Sequence, residues 1–451
     1  MWIGILTPLA GIAPKRYFQE WSNTVMLLAL GLSEKGIMVS MFRSQDFDQA
    51  AKTSGIMINM GGAAAEEQPV VGGWKVMPIA DMFEHGSEFS LLHNFSGSLP
   101  LTYLKVTGTP VLSTICEVSP QDFPVWKKYD KQAFFTLPSR SGKLPELNYL
   151  GEVPPGLNLR EYAFNAQPED YVAFCDDIRP ETGAREAVQL ALKSGTSLIM
   201  SGKIENSMFF QKEIKPHLNS GLVTYLGEIS QAKQRDLLAR AYALFYPVKF
   251  NEVFPFRVIE AMAMGTPVIS FRQGSLPEII TEEVTGFMVS SIQEAAGILP
   301  QVKKLNREDC RRAAEEKFSM EKMVDGYVKL YEQITEERKS EDRRPWGYYR
   351  VICDEADLKV KRIYVAPGQR LSLQRHQKRS EHWYVTRGEA QVTLEDKDFS
   401  LQTGQAIDIP VGQWHRLANR GSYELELLEI QTGEYFGEDD IERREDDYAR
   451  V

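Results

Sequence analysis

Three of the six histidines in this 451-residue chain fall between His376 and His415, and the residues around them have the types and spacing to hold a cation. One segment runs from Gly368 through Gln374-Arg-His376 to Glu381-His382, and a second reads Pro410-Val-Gly412-Gln-Trp-His415. Gln374 and His376 stand two apart, so on a strand both point to one face. Glu381 follows across a bend, and His415 follows a Pro-x-Gly turn on a later strand. Two imidazoles, one carboxylate and one amide oxygen can then converge on a divalent cation inside a small barrel. Nitrogen and oxygen donors without thiolate suit Zn, Mn, Fe, Co or Ni, and spacing does not choose among them. His382 belongs elsewhere, because alternation sends it away from its neighbour Glu381.

A second constellation lies upstream, in Glu252-Val-Phe-Pro-Phe-Arg-Val-Ile-Glu260 followed by Gly265-Thr-Pro. Its two glutamates flank a loop-to-helix junction, with Glu260 in the first helical turns. Carboxylates there can grip sugar and ribose hydroxyls, while the free amides of a helix N-terminus can receive phosphate.

The elements that must position these residues change along the chain. Up to about Ile334, short β-branched or apolar runs at 2–6, 39–42, 171–174, 198–201, 244–247 and 267–271 alternate with helical spacing, as at 183–193 and 229–241. Buried parallel strands between helices produce this pattern, which predicts two doubly wound α/β layer sets, 1–158 and 159–335. The charged run 336–344 reads as a linker, since dense mixed charge cannot build a core. From Pro345 onward, alternating strands broken by Gly, Pro and Asn turns predict an all-β domain over 345–451.

Composition bounds the function. At 43% hydrophobic and 25% charged residues the bulk of the chain is globular, and its length allows three domains at about 150 residues each. A net charge of −10 speaks against a nucleic-acid coat or a basic membrane-surface protein. Cys116, Cys175, Cys310 and Cys353 form no CxxC pair, which argues against a disulfide framework and for a reducing cytoplasm. The longest apolar run, 25–32, falls short of the ~20 residues that span a bilayer. The N-terminus lacks the positive region and apolar core of a signal peptide. The expectation is a cytoplasmic protein with no transmembrane segment and no nucleic-acid partner.

The two histidine segments resemble both motifs of the cupin double-stranded β-helix. The run from Arg344-Pro-Trp-Gly through Arg450 resembles the cupin domain of type II phosphomannose isomerases, in Leu371-Ser-Leu-Gln-Arg-His, Arg379-Ser-Glu-His-Trp, His415-Arg-Leu, Glu429-Ile-Gln-Thr-Gly and Gly437-Glu-Asp-Asp-Ile-Glu-Arg443. The resemblance implies that Gln374, His376, Glu381 and His415 hold a divalent metal ion (Zn, Mn, Co or similar). It also implies that mannose 6-phosphate and fructose 6-phosphate are interconverted through a cis-enediol. Glu429 and Lys361 are then candidates for the base, and Arg379, Arg416, Arg443 and Arg450 for the substrate phosphate, with Arg379 first. The acidic run 438–447 is expected to fold over the barrel mouth, and a homodimer through the cupin is allowed.

The upstream segment resembles the donor-binding domain of retaining GT-B glycosyltransferases, with Leu92-His93-Asn94, Ala173-Phe-Cys175 and Gly202-Lys203 in support. This implies a sugar nucleotide bound near Glu252, Glu260 and Lys203. Several positions depart from that pattern: Lys15 to Gln19, Cys116, Asp176-Asp177, Thr182 and Pro255. Two anions beside a diphosphate repel it by ~4 kcal/mol per close pair at an effective dielectric near 20. The leading expectation is therefore an isomerase cupin fused to a GT-B domain that binds donor poorly. One alternative is an enzyme active in both sugar transfer and isomerisation; another is a non-catalytic scaffold with a sugar-phosphate-binding cupin.

Overall fold

The computed structural model describes residues 1–9, 18–43, 57–60, 76–117, 119–339, 341–445 and 447. The chain divides into two compact units, Met1–Glu332 and Gln333–Val451.

Among the described residues, the first unit is built on two parallel sheets. One has seven strands in the order Met57–Met60, Met38–Arg43, Trp2–Leu6, Leu91–Asn94, Val111–Thr114, Phe134–Leu137 and Tyr149–Glu152. The other has six, in the order Val223–Tyr225, Ser197–Ser201, Glu169–Cys175, Ala241–Tyr246, Val268–Phe271 and Gly286–Val289. Ala241–Tyr246 is buried along its whole length. Helices on both faces of a parallel sheet demand this, and it is why such strands read as unbroken apolar runs. The helix expected at 183–193 forms as Ala184–Ser194. It enters from Gly183 at φ +80°, where an added Cβ would meet the Pro247 carbonyl oxygen at 2.3 Å. Strand order reverses beside Trp2–Leu6 in one sheet and beside Glu169–Cys175 in the other, and open α/β sheets bind ligands at such switch points.

The helix Met320–Lys339 returns to the first sheet. Tyr331 Oη pairs with His93 Nδ1 at 2.6 Å, Thr114 Oγ1 with His93 Nε2 at 2.8 Å, and Tyr327 Oη with Thr114 at 3.1 Å. All four side chains are buried. His93 is thus a strut between strand and helix, and burial holds it neutral, well below its ordinary pKa.

The second unit consists of two antiparallel sheets. The six-stranded sheet runs Glu341–Arg344, Gly347–Asp354, Leu358–Val365, Leu425–Gly433, Arg379–Arg387 and Ala406–Ile409. The five-stranded sheet runs Lys397–Gln402, Glu389–Leu394, His415–Ala418, Leu373–His376 and Ile441–Glu445. An apolar core of Ile363, Val365, Val385, Val392, Leu417, Leu425 and Leu427 fills the interior. The segment 336–344 is not a linker. The helix continues to Lys339, and Glu341–Arg344 pairs antiparallel with Gly347–Asp354 as the first strand of the domain. Its charges are accommodated by cross-strand pairing, Arg350 with Glu341 at 2.6 Å among them.

Among the described residues, no helix is long and apolar enough to cross a membrane.

Candidate metal centre and substrate cavity

Along Leu425–Gly433 every second residue is buried, and the inward set runs Leu425, Leu427, Glu429, Gln431. The interior therefore changes from aliphatic to polar within one strand. The neighbouring strand follows the same course: Val385 stands opposite Leu427, Trp383 opposite Glu429, and Glu381 opposite Gln431. On the other side Lys361 pairs with Glu429. From the facing sheet, Gln374 is in register with His415 and, across the other edge, with Arg443. Opposed residues in a ladder share a face, so these strands aim their polar residues at one space.

His376, Glu381 and His415 offer ligand atoms within 4.8 Å of one another, and all three are buried. His376 Nε2 lies 3.1 Å from Glu381 Oε1, and His415 Nε2 lies 3.6 Å from Glu381 Oε2. His415 Nδ1 donates to the Gln413 carbonyl at 3.0 Å, which leaves Nε2 as the unprotonated nitrogen. That nitrogen is buried with no hydrogen-bond partner. Burial lowers the His415 pKa, against the attraction of Glu381, so its lone pair is available. Gln374, half-buried, accepts from Ser372 Oγ at 3.0 Å through its carbonyl oxygen. Two imidazoles, a carboxylate and an amide oxygen fit a divalent cation.

The carboxylates differ in character. Burial pushes Glu381 up, but the hydrogen bond from His376 and the nearby His415 and Arg379 hold it well below the usual range. Glu429 is pushed up to about 7 by burial and by the charge of Glu381, against the pull of Lys361 and Arg379. Two donors bridge the pair. Trp383 Nε1 donates to Glu381 Oε2 at 3.0 Å and Glu429 Oε2 at 3.2 Å; Gln431 Nε2 donates to an oxygen of each at 2.9 Å. Lys361 Nζ is 3.6 Å from Glu429 Oε1.

A cavity of about 50 Å³ opens beside these groups, lined by Lys361, Gln374, Arg379, Glu381, Glu429 and Gln431 and closed by Glu438, Ile441 and Arg443 of the C-terminal segment. Arg379 donates to the Gly437 carbonyl at 3.1 Å and lies 3.5 Å from Glu381 Oε1, so it ties that segment to the site. Arg416 is not brought to the cavity. It follows the inward His415, faces the opposite side of its strand and pairs with Glu445 at 2.8 Å. Arg450 lies outside the described residues. The sequence reading missed Trp383, Gln431, Ser372 and Arg344, which also line or bridge the site. Trp383 and Gln431 each stand two residues from a candidate glutamate, and that parity was the available signal.

In the first unit a cleft of about 610 Å³ is lined from one half by Cys116, Glu117 and Ser141 to Leu144, and from the other by Arg179, Glu181 and Phe250 to Phe254. These segments follow the C-terminal ends of parallel strands. Glu252 lies in the cleft, buried, and accepts from Tyr246 Oη at 2.6 Å. Glu260 and Lys203 are not among the lining residues. Glu260 accepts from Tyr162 Oη at 3.2 Å and from Arg257 at 2.6 Å, and Arg257 reaches on to Glu20 at 3.0 Å. Asp176 and Asp177 are not among the lining residues, whose carboxylates are Glu117, Glu181 and Glu252. Asp176 Oδ1 accepts from the Asp177 amide at 2.7 Å and Asp177 Oδ1 from the Lys203 amide at 3.3 Å, while Lys143 and Arg179 supply the cleft's cations. Lys15 to Tyr17 lie outside the described residues.

Comparison with known proteins matches each part separately. Residues 332–446 match the family model described as Mannose-6-phosphate isomerase C-terminal, and residues 164–318 match Glycosyl transferases group 1. The alginate biosynthesis protein AlgA of Pseudomonas aeruginosa is 53% identical over 108 residues, which cover 24% of this chain and 22% of that protein. A mannose-1-phosphate guanylyltransferase of Escherichia coli is 43% identical over 124 residues, 28% of this chain and 26% of that protein. The chain thus spans only about a quarter of the length of these relatives. A sucrose-phosphate synthase from Thermosynechococcus elongatus is similar in fold, with TM-score 0.57 and 17% identity over 75% of this chain and all of that one. The chain thus joins a part of GT-B fold, in which residues 164–318 match the group 1 glycosyltransferase model, to an antiparallel β domain that matches the C-terminal mannose-6-phosphate isomerase model.

Proposed function

We propose that the chain carries two activities: interconversion of mannose 6-phosphate and fructose 6-phosphate in the cupin, and hexosyl transfer from a sugar nucleotide in the GT-B domain. The observation that carries the first is the buried His376–Glu381–His415 cluster beside Glu429, a carboxyl poised near neutrality. When bound by Gln374, His376, Glu381 and His415, a divalent cation would supply Lewis-acid stabilisation of negative charge on the substrate's C1 and C2 oxygens. Glu429 takes the proton from one carbon of the open-chain sugar and returns it to the other, which suits a base whose pKa lies close to the working pH. Lys361 stands beside Glu429 and steadies its ionised form. Arg443 faces the cavity from the closing strand and suits the phosphate; Arg379 holds Glu381 and the Gly437 carbonyl. The cavity is smaller than a hexose phosphate, so binding requires the segment around Glu438–Arg443 to move aside. A coupled assay of mannose 6-phosphate turnover, with Glu429→Gln alongside wild type, tests this activity.

Support for the transferase activity comes from the 610 Å³ cleft at the strand C-termini, whose lining includes Glu252, Lys143 and Arg179. A sugar hydroxyl suits Glu252 and a diphosphate suits the two cations. Calorimetry with GDP-mannose and UDP-glucose tests it, and absence of binding by either counts against transfer.

A further inference from the structure

The amide of Gln431 has an engaged nitrogen and an unengaged oxygen. Nε2 donates to Glu381 Oε1 and Glu429 Oε1, both at 2.9 Å. Oε1 is buried and has no hydrogen-bond partner, although Gln431 lines the cavity. The carboxylates decide which end of the amide is which, because the flipped amide would set a carbonyl oxygen against two carboxylate oxygens. The side chain is 1% exposed, and both of its partners are held a second time by the Trp383 indole. The carbonyl is therefore oriented in advance. It can only accept, so the group that completes it must donate, and phosphate and carbonyl oxygens are excluded. A sugar's hydroxyl groups are the donors that such a ligand brings.

We propose that Gln431 Oε1 is the acceptor for one hydroxyl of the sugar phosphate bound in the cupin cavity, and that it discriminates among sugars at that carbon. This assignment rests on the isomerase reading of the same cavity. A buried acceptor left without its donor is costly, which makes the contact selective against sugars lacking that hydroxyl.

The test uses the full chain, wild type and Gln431→Met, which keeps the approximate shape and removes the carbonyl. Affinity is measured with mannose 6-phosphate and its 2-, 3-, 4- and 5-deoxy derivatives, and turnover with all but the 2-deoxy sugar, which has no C2 hydroxyl to become the ketose carbonyl. Wild type is expected to lose about tenfold in affinity on one derivative. Gln431→Met should lose about as much on the parent sugar and nothing further on that derivative, with the other derivatives unaffected in their ratio to the parent. An equal loss on the parent and every derivative overturns the assignment, since a structural role or a bound water would produce it. A crystal structure of wild type with mannitol 6-phosphate gives a second reading that needs no variant. A hydroxyl within hydrogen-bond distance of Oε1 supports the proposal, and an oxygen contacted only by water overturns it. Wild type that neither binds nor converts mannose 6-phosphate overturns the isomerase reading together with this one; an active wild type with equal losses overturns this one alone.

Discussion

Glu381 and Glu429 are diagonal neighbours on paired strands and share both of their bridging donors, the Trp383 indole and the Gln431 amide. One carboxylate faces the two histidines, and the other is the carboxyl near neutrality. On the proposed function, their coupling lets one strand pair supply both a cation ligand and a base. The hydrogen bond from Trp383 lowers the Glu429 pKa. Trp383→Phe should therefore move the acid limb of the rate profile to higher pH, which a kcat/KM profile checks, with a melting curve to register the loss of packing.

Glu429 itself sets the direction of two pH effects. Its carboxyl titrates near 7 in the folded chain, against about 4.3 in an unfolded one. The ionised base accumulates as pH rises through about 7, so isomerase rate should rise over that range. Stability runs the other way. The folded state holds the proton more tightly, so this group's contribution is present below the unfolded value and is lost as pH rises through about 7. Glu429→Gln should lower kcat by about 10²–10⁴-fold and flatten the stability profile between those two values.

The His93 strut makes a prediction for the first unit. Tyr331→Phe leaves His93 Nδ1 buried without its partner, which should cost about 1–3 kcal/mol. Denaturant unfolding would read it. Because burial holds His93 neutral, the unfolded chain binds the extra proton first. This group's contribution should be lost as pH falls below its unfolded value of about 6.5. His93→Asn should reduce that acid sensitivity.

Arg179 tests the transferase cleft. It lies on the loop after Glu169–Cys175, with its guanidinium over the Phe250 ring at 5.9 Å. Arg179→Ala should weaken sugar-nucleotide binding by about 1.5–3 kcal/mol, the range for a hydrogen bond to a charged group. Unchanged affinity for GDP-mannose and UDP-glucose would remove Arg179 from the site.

The layers and the His376–Glu381–His415 cluster were readable in the sequence because each depends on short-range periodicity. Buried parallel strands appear as apolar runs, and Gln374 and His376 share a face by parity alone. What escaped reading depends on register between distant strands. Gln431 meets Glu381 only because Leu425–Gly433 pairs with Arg379–Arg387 in one alignment, and no local pattern states that alignment. Arg416 was misjudged by one position of the same parity, since its neighbour His415 takes the inward face. The strand Glu341–Arg344 was hidden by its charges, which cross-strand pairs accommodate at a sheet edge. Glu260 looked available until Arg257, three residues before it, proved to hold it.

The most direct test of the metal-dependent isomerase is one experiment on the full-length chain: metal analysis and mannose 6-phosphate turnover, before and after chelation, for wild type, Glu381→Ala and His415→Ala. The account predicts a stoichiometric divalent cation and isomerase activity in wild type, loss of both on chelation, recovery on adding metal back, and neither in the two variants. Full activity in the chelated protein, or in either variant without bound metal, would contradict it.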